Sequence, residues 1–271
     1  MKEIKQTKKY IIPPLGFGTW KLNGNICKES VERAIKYGYR HIDTADVYEN
    51  HKEVGAAIRK SEIKRKDIFL TTKVWRDDLS KKNVINSGKR FIEELQTNYI
   101  DLLLIHWPND SIQIEDTLDG FMQLKADGII NFIGVSNFTI NHLKKVIETK
   151  IPITTNQVEF HPSLYQKKLL DFCSKNNIIL TAYCPIAQGE DLLIPEVQNI
   201  AKKYNKLPSQ IILNWIINKG IIAIPRSSNP HHIKENLESL ELNLSPKDFD
   251  IIDNIGGNNR IVNPPFSEFN Y

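Results

Sequence analysis

Eight short runs rich in apolar, often β-branched residues recur along this chain, each far enough from the next to admit a crossover helix and two loops. They are Leu15–Gly18, His41–Asp43, Phe69–Lys73, Ile100–His106, Ile130–Ser136, Thr155–Glu159, Ile178–Tyr183 and Ile221–Ile224. A run such as Leu102-Leu103-Leu104-Ile105 shows no polar alternation, the pattern of a parallel strand buried on both faces. The intervening segments carry helical periodicity. Val31, Ala34, Ile35 and Gly38 share one face, Val84, Phe91, Ile92 and Leu95 another. Ser209 is placed to cap a helix running through Ile211, Ile212, Trp215 and Ile216 and stopping at Gly220.

Repeated β/α units allow a closed barrel or an open, doubly wound sheet. The open sheet should begin on a three-glycine fingerprint. Gly16-Phe17-Gly18 lacks the third glycine, and no acidic residue follows a second strand at the required offset. The expectation is therefore an α/β fold of the (β/α)8 TIM-barrel type, one domain over residues 1–271, an ordinary length for such a barrel. Gly16 and Gly18 then read as tight-turn residues at the barrel mouth, Lys5–Pro13 as an N-terminal hairpin across the bottom, and Ser245–Ile255 as an added C-terminal helix.

Composition narrows the function. The net charge of +4 comes from scattered lysines, which argues for solvated helix faces and against a nucleic-acid surface. Cys27, Cys173 and Cys184 are far apart and form no C-x-x-C pair, so neither a disulfide framework nor a metal cluster is expected. Free thiols suit a reducing compartment. The start, Met1-Lys2-Glu3-Ile4-Lys5-Gln6, has no apolar leader core, and no run of about 18 apolar residues occurs. A cytoplasmic protein is expected, with no membrane partner. The lack of an obvious apolar stripe suggests a monomer.

In a barrel of this kind the active site lies at the carboxyl ends of the strands. The second run ends in Asp43, with Tyr48 in the loop beyond; the third ends in Lys73 and the fourth in His106. The fifth ends in Ser136-Asn137, the sixth carries Asn156, Gln157 and Glu159, the seventh ends at Tyr183, and the eighth runs into Arg226-Ser227. Singly, each has an ordinary reading: Asp43 as a helix cap, Tyr48 as packing, Lys73 as a solvated side chain, His106 as a satisfied core residue. Jointly they read otherwise. A buried Lys needs a carboxylate, which Asp43 on the adjacent strand end can supply. An ammonium beside a phenol lowers the phenol's pKa, and a phenol so poised can serve as general acid or base near neutral pH.

These residues stand in motifs that resemble the aldo-keto reductase superfamily. The motifs are Asp43-Thr44-Ala45 with Tyr48 and Asn50, Thr71-Thr72-Lys73-Val74-Trp75, His106-Trp107-Pro108, Gly134-Val135-Ser136-Asn137-Phe138, Asn156-Gln157-Val158-Glu159 and Ile224-Pro225-Arg226-Ser227. The similarity runs from about Leu15 to Ile255 in the family's order and spacing, and is greatest to short bacterial members of the 2,5-diketo-gluconate and methylglyoxal reductase type. It implies an oxidoreductase that transfers hydride from NADPH, with NADH tolerated, to the carbonyl of a small aldehyde, α-ketoaldehyde or diketo sugar acid. By the same resemblance Tyr48 would protonate the carbonyl oxygen, Lys73 paired with Asp43 would tune Tyr48, and His106 would hydrogen-bond the substrate. Ser136, Asn137 and Gln157 would hold the nicotinamide carboxamide and Tyr183 would stack on its ring. Arg226, Ser227, His232, Glu235 and Asn236 would grip the adenosine end. Trp20, Trp75 and Trp107, just past the first, third and fourth runs, would form an apolar collar around the substrate, or else pack loops.

The chain departs from the family pattern in four places. His51 replaces the usual Glu after Asn50, with little consequence expected. Cys184 replaces the usual Ser, removing a hydroxyl donor near the cofactor diphosphate. His232 takes a position often held by Arg, and His231 or His232 could instead cap the helix that begins there. The tail Asn263–Tyr271 is short, which suggests a fairly open site. Two other functions fit a barrel: an NADPH-binding sensor or structural protein without turnover, and a phosphate-handling isomerase or aldolase with a Schiff-base lysine at Lys73.

Overall fold

In the computed structural model, which describes residues 12–269, eight parallel strands follow one another round a ring in chain order. They are β1 (Phe17–Gly18), β2 (His41–Asp43), β3 (Phe69–Val74), β4 (Ile100–Ile105), β5 (Ile130–Ser136), β6 (Thr155–Glu159), β7 (Ile179–Tyr183) and β8 (Ile222–Ala223). The ring closes where Leu15 bridges Ala223 in parallel. There the Gly16 N–H donates to Ala223 O (2.8 Å), the Ala223 N–H to Pro14 O (2.9 Å) and the Gly18 N–H to Pro225 O (3.0 Å).

Two apolar layers hold the barrel. Outside, the outward faces of the strands meet the buried stripes of the helices: Val31, Ala34 and Ile35 on α1 (Gly24–Tyr37), Val84, Phe91 and Leu95 on α3 (Lys81–Leu95), with α2 (His51–Lys60) between them. Ile92 is only half-buried at the edge of its stripe. Inside, a smaller cluster of Ile12, Phe69, Leu102, Leu104, Ile222 and Ile224 fills the barrel. Gly134, opposite Leu104 in the β4–β5 register, leaves the room that Leu104 occupies. A Cβ there would lie 2.6 Å from Leu104 Cδ2 and 2.9 Å from Thr155 O. Gly134→Ala is expected to cost about 1–3 kcal/mol through overpacking, read as a lower midpoint in denaturant at unchanged m-value.

Beyond the first three helices come α4 (Ile114–Ala126), α5 (Ile140–Glu148) and α6 (Lys167–Lys175). The long interval between β7 and β8 holds two helices, α7 (Pro195–Tyr204) and α8 (Pro208–Asn218). Ser209 does not cap α8. Pro208 already occupies its first turn, where a missing N–H costs nothing, and the Gln210 side chain reaches back to the Leu207 N–H (3.0 Å). After β8 come α9 (Pro230–Glu238) and the expected C-terminal helix, α10 (Pro246–Asp253), capped by Ser245. Asp248 on α10 is gripped by Lys203 (2.8 Å) and Tyr204 (2.6 Å) of α7.

Gly16 and Gly18 are not turn residues. Neither has a positive φ. They are small because neighbours come close: a Cβ on Gly16 would lie 2.7 Å from His41 Nδ1, and one on Gly18 2.9 Å from Ile224 O. Most of the proposed hairpin Lys5–Pro13 lies outside the described residues. Among those described, no helix is long and apolar enough to cross a membrane.

Candidate active site

The carboxyl ends of β2, β3 and β4 bring four side chains together. Asp43, the last residue of β2, accepts from Lys73 Nζ on β3 (2.5 Å) and from Gln157 Nε2 on β6 (2.7 Å). Lys73 is fully buried, and its ammonium also reaches the Thr44 carbonyl (2.8 Å). It lies 5.1 Å from the centroid of the Tyr48 ring. Tyr48 meets His106 edge-on, centroids 5.8 Å apart, and His106 meets Trp75 in the same manner at 5.4 Å. The turn carrying Tyr48 (Asp46–Tyr48) is pinned by Asn50, whose amide donates to the carbonyls of Thr19 (3.0 Å) and Leu22 (2.9 Å) while Oδ1 accepts from Thr44 (2.6 Å).

Electrostatics assign these groups their protons. Burial, reinforced by the Lys73 charge, holds His106 well below the ordinary imidazole range, so its ring is neutral near pH 7. Its Nδ1 is buried without a hydrogen-bond partner among the described residues. Burial pulls the Lys73 ammonium down, although the contact with Asp43 opposes this. Tyr48 differs from the sequence-based expectation. Burial and then the Asp43 carboxylate push its phenol well above 10, and Lys73, already spent on Asp43 and Thr44, does not reverse this. The resting site therefore holds a protonated phenol rather than an incipient phenolate.

The residues proposed for the nicotinamide are wired to one another and to this cluster. Asn137, at φ +64, donates from Nδ2 to the His106 carbonyl (3.0 Å) and to Ser136 Oγ (3.1 Å). Its Oδ1 accepts from the Tyr183 hydroxyl (2.7 Å), and Ser136 Oγ donates to Gln157 O (2.9 Å). Arg226 is exposed just past β8, and Ser227 is buried and accepts from the Asn229 N–H (3.0 Å). On α9, His232 is exposed, Glu235 half-buried and Asn236 buried. Neither His231 nor His232 caps α9, because Asn229 does, accepting from the His231 N–H (2.9 Å).

Several contributors were not legible beforehand. Burial and Glu159 raise the Cys184 thiol to about 12, opposed by the charges of Arg226 and Lys21. Lys21, at φ +59 and 4.3 Å from the Trp20 centroid, is thus a second cation on the Arg226 side, which no motif singled out. His51 is buried, linking Glu94 (2.7 Å) to Thr72 (2.7 Å) beside Lys73, so its presence does have a structural consequence. The short tail also reaches the mouth. Phe266 meets Trp75 (5.8 Å) and Trp107 (5.4 Å) edge-on, Phe269 meets Trp107 (5.8 Å), and the Arg76 guanidinium lies 4.5 Å from the Phe266 centroid. The mouth is therefore less open than the tail's length suggested. No spacing rule ties residue 266 to strands three and four, so only the fold reveals this contact.

Comparison with known proteins shows the family to which such a barrel belongs. Residues 14–256 match the aldo/keto reductase family. The chain is 41% identical over 252 residues to the glyoxal reductase of Bacillus subtilis, covering 92% of this chain and 91% of that one. It is 38% identical over 257 residues to a methylglyoxal reductase of Yersinia pestis, covering 93% and 96%. Among solved structures, an aldo-keto reductase from a Medee basin deep-sea metagenome library superposes with a TM-score of 0.94 at 37% identity, over 99% of this chain and 100% of that one.

Proposed function

This chain belongs to the aldo/keto reductase family, and from that premise we propose that its one barrel domain reduces the carbonyl of a small aldehyde or α-ketoaldehyde with NADPH, Tyr48 giving the proton. The single observation that carries the proposal is the meeting of Tyr48 and a neutral His106 beside the buried Asp43–Lys73 pair. The names of the glyoxal and methylglyoxal reductases to which the chain is similar favour small dicarbonyls as substrates.

The donor set suits this cofactor. Ser136, Asn137 and Gln157 offer amide and hydroxyl groups to a carboxamide, and Tyr183 offers a ring beside them. Arg226, Lys21 and the N-terminal end of α9 offer positive charge to phosphates. NADPH, when bound, supplies the hydride. The chain does the rest. Tyr48 and His106 are two donors aimed at an oxygen that gathers negative charge, and stabilising that charge is the largest part of the task. Tyr48 Oη gives up its proton, and Lys73 stands close to the phenolate that results. Trp75, Trp107 and Phe266 present apolar surface that orients a small carbonyl and excludes water.

The test is NADPH oxidation followed at 340 nm with glyoxal, methylglyoxal and a diketo sugar acid. Binding of NADPH without turnover of any carbonyl would instead favour a sensor. Preference for NADPH over NADH depends on cations that meet the 2′-phosphate, and Arg226 offers a planar fork for it. Arg226→Ala is expected to cut the ratio of kcat/KM for the two cofactors by about 10- to 100-fold, the order of one charged hydrogen-bonded contact. An unchanged ratio would move the phosphate site elsewhere.

A further inference from the structure

Away from Tyr48 and Lys73, the barrel rim holds a fully buried ionic knot that the reaction itself does not use. His161, completely inaccessible to solvent, sets Nε2 against Glu159 Oε1 (3.0 Å) and Nδ1 against Asp191 Oδ2 (3.1 Å). A neutral imidazole carries a hydrogen on only one nitrogen and would turn a lone pair on the other carboxylate, so the ring between the two is an imidazolium. Burial pulls it down, but the contacts to Asp191 and Glu159 outweigh this and hold it above its usual range.

Each carboxylate holds a different segment. Asp191 accepts from the Ser163 N–H (3.0 Å) and hydroxyl (2.5 Å) and belongs to the segment Ala187–Leu193 beyond β7. Glu159, at the end of β6, accepts the backbone N–H groups of Ile261 (2.7 Å) and Val262 (2.8 Å). Asn259 adds two further ties, its N–H to Ser163 O (3.0 Å) and its amide to Glu190 (2.9 Å). The tail thus leaves the knot at Val262 and a few residues later sets Phe266 on Trp75 and Trp107.

We propose that His161 is a positioning residue for the carbonyl substrate: its imidazolium holds the Glu159 carboxylate in place to receive the tail, and the tail so held places Phe266 at the mouth. The proposal rests on reading that mouth as the substrate entrance. Without the imidazolium, two carboxylates would be buried close together with too little compensating charge. Their repulsion would push one of them out of place. A displaced Glu159 loses the backbone N–H groups of Ile261 and Val262, and the tail would loosen while Tyr48, Lys73 and His106 keep their own contacts.

His161→Gln is expected to raise KM for methylglyoxal about tenfold, the order of one aromatic contact, with kcat within about twofold of wild type. Exchange of the Ile261 and Val262 amide hydrogens should quicken while the β3 and β4 amides stay protected. In a Phe266→Ala background, His161→Gln should raise KM no further, because both changes act through one contact. Additive effects would make His161 merely structural and overturn the proposal, as would an unchanged KM. Should His161→Gln fail to fold, Val262→Pro removes one N–H from Glu159, leaves the knot whole, and is read in the same cycle with the same two outcomes. A wild-type protein that turns over no carbonyl sinks the reductase reading. An active wild type whose KM ignores both variants sinks this inference alone.

Discussion

Tyr48→Phe is expected to lower kcat by about 10²–10⁴-fold while NADPH affinity stays within about twofold. On the proposed mechanism the phenol acts only as the carbonyl oxygen gathers charge, so its loss belongs to the transition state and not to the bound ground state. The residues proposed for the cofactor make their contacts without the Tyr48 hydroxyl: Asn137 bonds Ser136, the His106 carbonyl and Tyr183, and Gln157 bonds Asp43. Because burial and Asp43 hold the phenol well above its ordinary range, the proposed donor is protonated at neutral pH, and the wild-type rate should not depend on a separate protonation of Tyr48 there. Steady-state rates with methylglyoxal, set beside fluorescence titration of NADPH, check both halves. A variant keeping more than about a tenth of the wild-type kcat would remove Tyr48 from the role of acid.

The second large effect is on the fold as well as the rate. Lys73→Met leaves Asp43 buried with the Gln157 amide as its remaining side-chain hydrogen-bond partner among the described residues, and breaking a buried ion pair on one side costs about 3–5 kcal/mol. In the variant the Asp43 carboxylate is desolvated without its cation, and that uncompensated buried charge is the source of the penalty. Urea melts of variant and wild type at pH 7 should show the gap as a lower midpoint. Adding Asp43→Leu should recover most of the lost stability and none of the activity, since an apolar pair can replace a buried ion pair. A stability gap that the double change does not recover would mean that Lys73 contributes packing rather than charge.

Sequence pattern reached the strands because their signal is local. Runs such as Leu102–Ile105 are buried on both faces whatever surrounds them, and the polar residues ending them fall at one rim by topology alone. Wherever the reading depended on distant partners it fell short. Ser209 is a good cap by residue type, yet Pro208 starts the helix first. Lys73 beside Tyr48 suggested a lowered phenol pKa, but depth of burial and the competing Asp43 charge are products of the whole fold. His161 and Asp191 are thirty positions apart, Glu159 and Val262 over a hundred, and no periodicity joins them.

The seam at Leu15 and Ala223 has a consequence for how the chain is made. Closing it brings together residues from opposite ends of the sequence, so the slow, entropically costly step of folding waits for nearly the whole chain. During synthesis the early strands can pair in order from β2 onward. The free side of β1 stays a bare edge until β8 emerges, and Arg226 and α9 emerge later still. A nascent chain halted before Ala223 would thus carry Asp43, Tyr48, Lys73 and His106 on an open, adhesive sheet without the segment proposed to hold the adenosine end, a species for chaperones rather than a slow enzyme.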